Sequence, residues 1–175
     1  MLTRSKPKKR YSRVKLVLLF ILFILLLLAT LSVWYVNDVR TDEHKQELEA
    51  VQRSSEQVTW SSIMKVEKSI WDSVYYVVTG KDETGQIQMA WVNEDSVTVK
   101  AATEGVTKSD VERIIHEQYP DASITHIIPG IKDGEYVWET LVKRKDASGK
   151  KRYFYQFYKF SDGSPTGDVF AMPNQ

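Results

Sequence analysis

Residues 75–92 read YYVVTGKDETGQIQMAWV and residues 139–156 read ETLVKRKDASGKKRYFYQ; each carries a Lys-Asp-x-x-Gly stretch at its centre. The two stretches, Lys81 to Gly85 and Lys145 to Gly149, coincide under a shift of 64 residues. The same shift lays Trp91 on Tyr155, Met89 on Tyr153 and Val77-Val78 on Leu141-Val142. Both copies have the chemistry of a hairpin turn: short polar residues between two alternating runs, with glycine where the backbone needs φ > 0. A repeat in the turn and in both flanking strands points to duplication of a whole supersecondary unit.

Working outward, hydrophobic residues recur with a period of two. Trp60, Met64, Val66 and Ile70 outline a first strand, and Val74, Tyr76 and Val78 form one face of a second. Ile87, Met89 and Trp91 belong to a third strand and Val97 and Val99 to a fourth. A helix then begins: Thr107 can cap it, Asp110 completes a capping-box pair, Val111, Ile114, Ile115 and Tyr119 recur at helical spacing, and Pro120 stops it. Strands follow at Ser123–Ile128, Tyr136–Arg144, Arg152–Phe160 and near Asp168–Met172. The shift lays the capped helix over Glu43–Ser54, which predicts a helix there with Leu48 and Val51 on its narrow apolar stripe. The expected fold is therefore α+β, one unit of a helix and a four-stranded antiparallel meander used twice.

Upstream of both units, Leu16 to Val36 is an almost unbroken apolar run, and no charge lies between Lys15 and Asp38. As a helix it spans ~30 Å, the thickness of a bilayer's hydrocarbon core. Arg4, Lys6, Lys8, Lys9, Arg10, Arg13 and Lys15 precede it with no acidic residue among them. Basic flanks remain in the cytoplasm, so the expectation is a single-pass protein of the cell membrane, N-terminus inside and the remainder extracellular. Trp34 and Tyr35 fall where an outer aromatic belt belongs. A cleaved signal peptide is the competing reading, with Thr30-Leu31-Ser32 its one candidate site; its apolar region is normally shorter, ~7–15 residues. The sequence has no cysteine, which excludes a lipoprotein anchor and a disulfide framework. The expected organisation is 1–15 cytoplasmic tail, 16–36 transmembrane helix, 37–102 first repeat with its juxtamembrane helix, and 103–175 second repeat.

Setting the seven leading basic residues aside leaves 17 Lys and Arg against 23 Asp and Glu, a net of −6. Such a balance opposes nucleic-acid binding, and also a surface that hugs anionic lipid or polyanionic wall polymer through bulk charge. Catalysis needs converging groups. His44, His116 and His126 are scattered over different elements without metal-ligand spacing, and neither a Gly-x-Ser-x-Gly elbow nor a phosphate-cradling glycine loop is present. Asp82, Glu83 and Asp146 read as solvated turn residues, and Asp162-Gly163 lacks the alternating acids of a Ca²⁺ loop. No cofactor, metal or small-molecule substrate is expected, and no enzymatic activity.

In Arg152–Phe160, Tyr153, Tyr155 and Phe157 share one face while Phe154, Tyr158 and Phe160 share the other. A strand apolar on both faces is either central and covered twice, or an aromatic platform for a partner. On the second reading Trp138, Phe154, Tyr158 and Phe160 are the candidate partner-binding residues. Gln88, Ala90 and Val92 suggest, by contrast, an ordinary outer face for the equivalent strand of the first repeat.

Tyr75-Tyr76-Val77-Val78-x-Gly80, Asp82, Gly85, Trp91-Val92, Lys100-x-x-x-x-Gly105 and Ile114-Ile115 resemble the TseB/YpmB family of small membrane-anchored Gram-positive proteins. Tyr136-Val137-Trp138-Glu139 and Phe160-x-x-Gly163 resemble that family's second half, so the likeness runs from about Trp71 to the C-terminus. The resemblance implies two tandem PepSY-like (cystatin-like) repeats outside the cell and a non-enzymatic role. That role is regulation of cell-wall (peptidoglycan) elongation by interaction with a membrane-bound penicillin-binding protein. PepSY-type units also act as peptidase inhibitors; a tethered inhibitor is the alternative, with Ser161–Gly167 as the loop it would use as a wedge.

Overall fold

The computed structural model describes the backbone of residues 10–173 and the side chains of 15–35 and 42–173. The basic residues from Arg4 to Arg13 therefore lie outside the described side chains. Two compact units result, Met1–Gln46 and Glu47–Gln175. Helix α1 runs Arg10–Ser54. Within the first unit, Lys15–Tyr35 is long and apolar enough to cross a membrane and none of it is buried. Thr30 returns its hydroxyl to the carbonyl of Leu27 at 2.8 Å, which removes a bare polar group from that stretch.

Among its described residues the second unit holds eight strands in two four-stranded antiparallel sheets, β1-β2-β3-β4 and β5-β6-β7-β8. The strands of the first sheet are β1 (Trp60–Ser69), β2 (Tyr75–Asp82), β3 (Ile87–Val92) and β4 (Val97–Ala101). Those of the second are β5 (Ser123–Lys132), β6 (Glu135–Lys145), β7 (Lys151–Lys159) and β8 (Pro165–Ala171). Between the sheets in sequence lies helix α2, Lys108–Gln118. Thr107 accepts from the Asp110 amide at 3.2 Å while the Asp110 carboxylate accepts from the Thr107 amide at 3.0 Å, the reciprocal cap expected from the sequence.

The duplicated turn is reproduced bond for bond. Asp82 Oδ1 accepts from the Thr84 amide, the Thr84 hydroxyl and the Gln86 amide, at 2.9, 2.7 and 3.0 Å. Sixty-four residues later Asp146 Oδ1 accepts from the Ser148 amide, the Ser148 hydroxyl and the Lys150 amide at 2.8, 2.6 and 3.0 Å. Gly85 and Gly149 close the turns at φ of 82° and 81°. These bonds stabilise the ionised form, so the hydroxyls of Thr84 and Ser148 hold the two carboxyls below the ordinary value of 3.8. Thr107 and Ser164 do the same for Asp110 and Asp162. A carboxyl depressed by folding contributes stability above its unfolded value and loses it as pH falls through the folded one. The melting temperature is therefore expected to drop below about pH 4. The drop should shrink when Asp82→Asn and Asp146→Asn are combined, which thermal melts at pH 5 and pH 3 would measure.

Burial follows a pattern that the period-two reading captures only in part. On the first sheet Val77, Met89 and Trp91 face one way, and Tyr76, Val78, Ala90 and Val92 the other; all seven are buried. The second set packs with Ala50 and half-buried Val51 from the last turns of α1. The outer face suggested by Gln88, Ala90 and Val92 is therefore a covered one, because the repeat's own helix lies on it. The helix uses Ala50 as its contact, whereas Leu48 is exposed; a methyl side chain lets the helix backbone approach the sheet closely. Ser54, fully buried, accepts from the indole of Trp60 at 3.0 Å and so anchors this corner.

The opposite face of the first sheet joins the second repeat. Val77, Met89 and Trp91 share one continuous core with Val111 and Ile115 of α2 and with Ile127, Trp138, Val142, Tyr158 and Phe160 of the second repeat. The repeats are thus duplicated in sequence but not independent in packing.

Candidate functional site

Strand β7 lies between β6 and β8, with Phe154 opposite Val142, Tyr158 opposite Trp138 and Phe157 opposite Glu139. Trp138, Phe154, Tyr158 and Phe160 are 6%, 7%, 1% and 3% exposed. The exposed-platform reading of these four is thereby corrected: their face is turned to α2, and no partner can reach it. Polar handles are satisfied internally, Trp138 donating its indole N–H to the Val106 carbonyl at 3.0 Å. Burial pushes the Tyr158 hydroxyl up to about 12, so it stays protonated.

The other face of β7 is covered by the first repeat. Trp71, in the loop between β1 and β2, places its ring 4.7 Å from Phe157, 5.5 Å from Tyr155 and 5.2 Å from Phe170 of β8. Polar links surround it. Buried Ser69 donates to Glu139 Oε2 at 3.3 Å, and His126 Nε2 stands 3.8 Å from Glu139 Oε1. The Asp133 amide donates to the Asp72 carboxylate. Lys132, 8% exposed, pairs with Asp168 at 2.7 Å and with Asp133, and these carboxylates hold its ammonium above the ordinary lysine value. Trp71 carried no periodic signal because it sits in a loop, and Phe170 none because β8 sets Val169 and Phe170 side by side after a polar start and so lacks an alternating run. Truncating Trp71→Ala removes three ring contacts and is expected to cost about 2 kcal/mol; chemical denaturation would measure it.

Around this cluster an exposed apolar margin remains: Ile70, Val74, Tyr153, Phe170 and Met172 are 67%, 48%, 39%, 44% and 37% exposed. Tyr153 and Phe170 stand on strands, Ile70 and Val74 in the loop between β1 and β2, and Met172 just past β8; mixed aromatic and aliphatic side chains are the composition of a protein-binding surface. Elsewhere, a groove of about 470 Å³ runs between α2 and β5, lined by Lys108, Glu112, His116 and the Ser123–Ile127 segment. His116 is exposed on α2, and His44 is exposed on α1. Among the described residues no three His, Cys, Asp or Glu side chains gather as metal ligands would.

The loop Ser161–Gly167 is not a projecting wedge. Gly163 is buried, its amide donates to the Lys159 carbonyl at 2.9 Å, and β8 already begins at Pro165.

The fold defines an α+β protein with an N-terminal apolar helix and two tandem four-stranded antiparallel sheets, each with a helix against it. No protein-family model matches the sequence, and no curated protein matches it. Among solved structures the chain is similar to the YpmB protein from Bacillus subtilis. The TM-score is 0.60 at 20% identity, over 71% of this chain and 95% of that one. The likeness is one of fold, and it agrees with the architecture that the sequence motifs imply.

Proposed function

We propose that this chain is a single-pass membrane protein whose extracellular body is a non-enzymatic binding module. Its role is to regulate peptidoglycan elongation by contacting a membrane-bound penicillin-binding protein. The observation that carries the reading is the pairing of a membrane-length apolar helix with a YpmB-like two-sheet body. Confinement to a membrane surface raises effective concentration, so a modest interface suffices for a partner in the same membrane. The loop that carries Trp71 supplies such an interface through exposed Ile70 and Val74. The peptidase-inhibitor alternative needs an inserting loop, and the tight turn after β7 gives it little support.

Affinity purification of the full chain from detergent-solubilised membranes, read by mass spectrometry, tests the proposal. A cell-wall synthase should be recovered with the wild type and lost with Ile70→Lys combined with Val74→Lys. Both positions are exposed, so the variant's melting temperature should stay within about 1 °C of wild type. Recovery of no such synthase, together with unchanged cell length and wall-antibiotic sensitivity on deletion, would exclude this function.

A further inference from the structure

The β6–β7 hairpin breaks the charge balance of the rest of the molecule. Residues 143–152, KRKDASGKKR, hold six Lys and Arg against one Asp, while all other positions after Lys15 hold 11 against 22. Pairing register makes this arrangement costly for the fold. Arg144 lies directly opposite Arg152 and Lys145 directly opposite Lys151, and like charges across a strand pair repel. The nearest acids offset only part of the charge. Asp146 gives Oδ1 to its own turn and Oδ2 to Arg152 at 3.7 Å, and exposed Asp121 stands 3.8 Å from exposed Lys145. Arg144 is held by stacking instead, its guanidinium 4.2 Å from the Tyr119 ring and 4.0 Å from Phe154. The Nε atoms of Arg144 and Arg152 are both buried without a hydrogen-bond partner. The fold thus orients the cations and neutralises only part of their charge.

Beside the cations, on the sheet face that carries Lys143, Lys145 and Lys151, stand partly exposed Tyr153 and Phe170, with Met172 at the adjoining strand end. A soluble polyanion gains little from exposed apolar side chains. A bilayer interface takes both kinds: headgroup phosphates meet Lys and Arg, and the aromatic ring settles at headgroup depth. We infer that the β6–β7 hairpin is a docking site for the phosphate headgroups of an anionic lipid surface. The inference leans on the single-pass reading only for bringing such a surface within reach.

The sequence contains no cysteine, so Ser148→Cys at the exposed turn gives a unique attachment point for a polarity-sensitive dye. The labelled full chain is reconstituted into nanodiscs of phosphatidylcholine alone, or with about a third phosphatidylglycerol. Recovery of the chain with phosphatidylcholine discs scores the membrane anchor; the difference between the two disc types scores the hairpin. A blue-shifted dye is expected on anionic discs alone, reversed by about 0.5 M salt. Lys145→Gln, Lys150→Gln and Lys151→Gln together should lower the docked-to-free ratio about 100-fold, near fivefold per lysine. The same variant should melt no lower than wild type, because it relieves the Lys145–Lys151 opposition. Identical dye spectra on both discs, or a melting temperature lowered by the three substitutions, would overturn the proposal. So would a response to inorganic polyphosphate with none to anionic lipid, which would reassign the hairpin to a free polyanion.

Discussion

Trp91→Ala will unfold both repeats together, not the first alone. The indole is 1% exposed, with the rings of Tyr136 and Phe160 at 5.0 and 5.3 Å from it, both edge-on. It belongs to the core that also contains Ile115, Trp138 and Tyr158. Truncating a buried tryptophan to alanine costs about 3–5 kcal/mol, because the surroundings collapse only partly into the space. Its Nε1 has no hydrogen-bond partner, so the loss is one of packing alone. With a denaturant slope near 2 kcal/mol per molar urea, the midpoint should fall by about 2 M. Hydrogen exchange should show β2, β3, β6 and β7 losing protection in parallel. Loss confined to β1–β4 would mean that the repeats fold separately, against the shared core.

Gly105→Ala is expected to be nearly as damaging, although its backbone permits alanine. The φ of −143° and ψ of −177° are extended values open to any residue. The obstacle is space: a Cβ there would lie 2.3 Å from the Phe160 carbonyl oxygen and 2.6 Å from a Phe160 ring carbon. Neither can retreat freely. The Phe160 carbonyl accepts from Val106 at 2.8 Å and its amide donates to Tyr136 at 2.8 Å, while its ring packs on Trp91. Overpacking at such a point costs about 3 kcal/mol. Adding Phe160→Leu removes the ring clash but leaves the carbonyl clash, so a double variant should recover only part of the lost melting temperature. Complete recovery would place the whole effect in the ring.

Several elements were legible because each rests on local physics. The Thr107–Asp110 cap and the two Lys-Asp-x-x-Gly turns depend only on neighbours within four residues, and both appear as read. The helix over Glu43–Ser54 had almost no apolar face of its own, yet the repeat placed it correctly. Strand ends were less visible: β5 continues through Pro129 and Gly130 to Lys132, past residues that ordinarily mark an end. Proline is tolerated because β5 is an edge strand of its sheet. The candidate surface was the least legible. Aromatic content on β7 announced two covered faces or one exposed one, and nothing within a single strand distinguishes them.

Composition and periodicity alone determined the membrane-length helix, the repeated α+β unit, its turns and its cap, since these follow from chain-local preferences for solvent, dihedral angle and hydrogen bonding. Only the tertiary structure decided which faces reach water. A side chain's exposure depends on what distant segments cover it, and here the covering groups are Ala50 from one helix, α2 from between the sheets and Trp71 from a loop of the other repeat. Their arrival buried Trp138, Phe154, Tyr158 and Phe160 and left Ile70 and Val74 exposed in one loop and Tyr153 and Phe170 exposed on the sheet beside the basic hairpin.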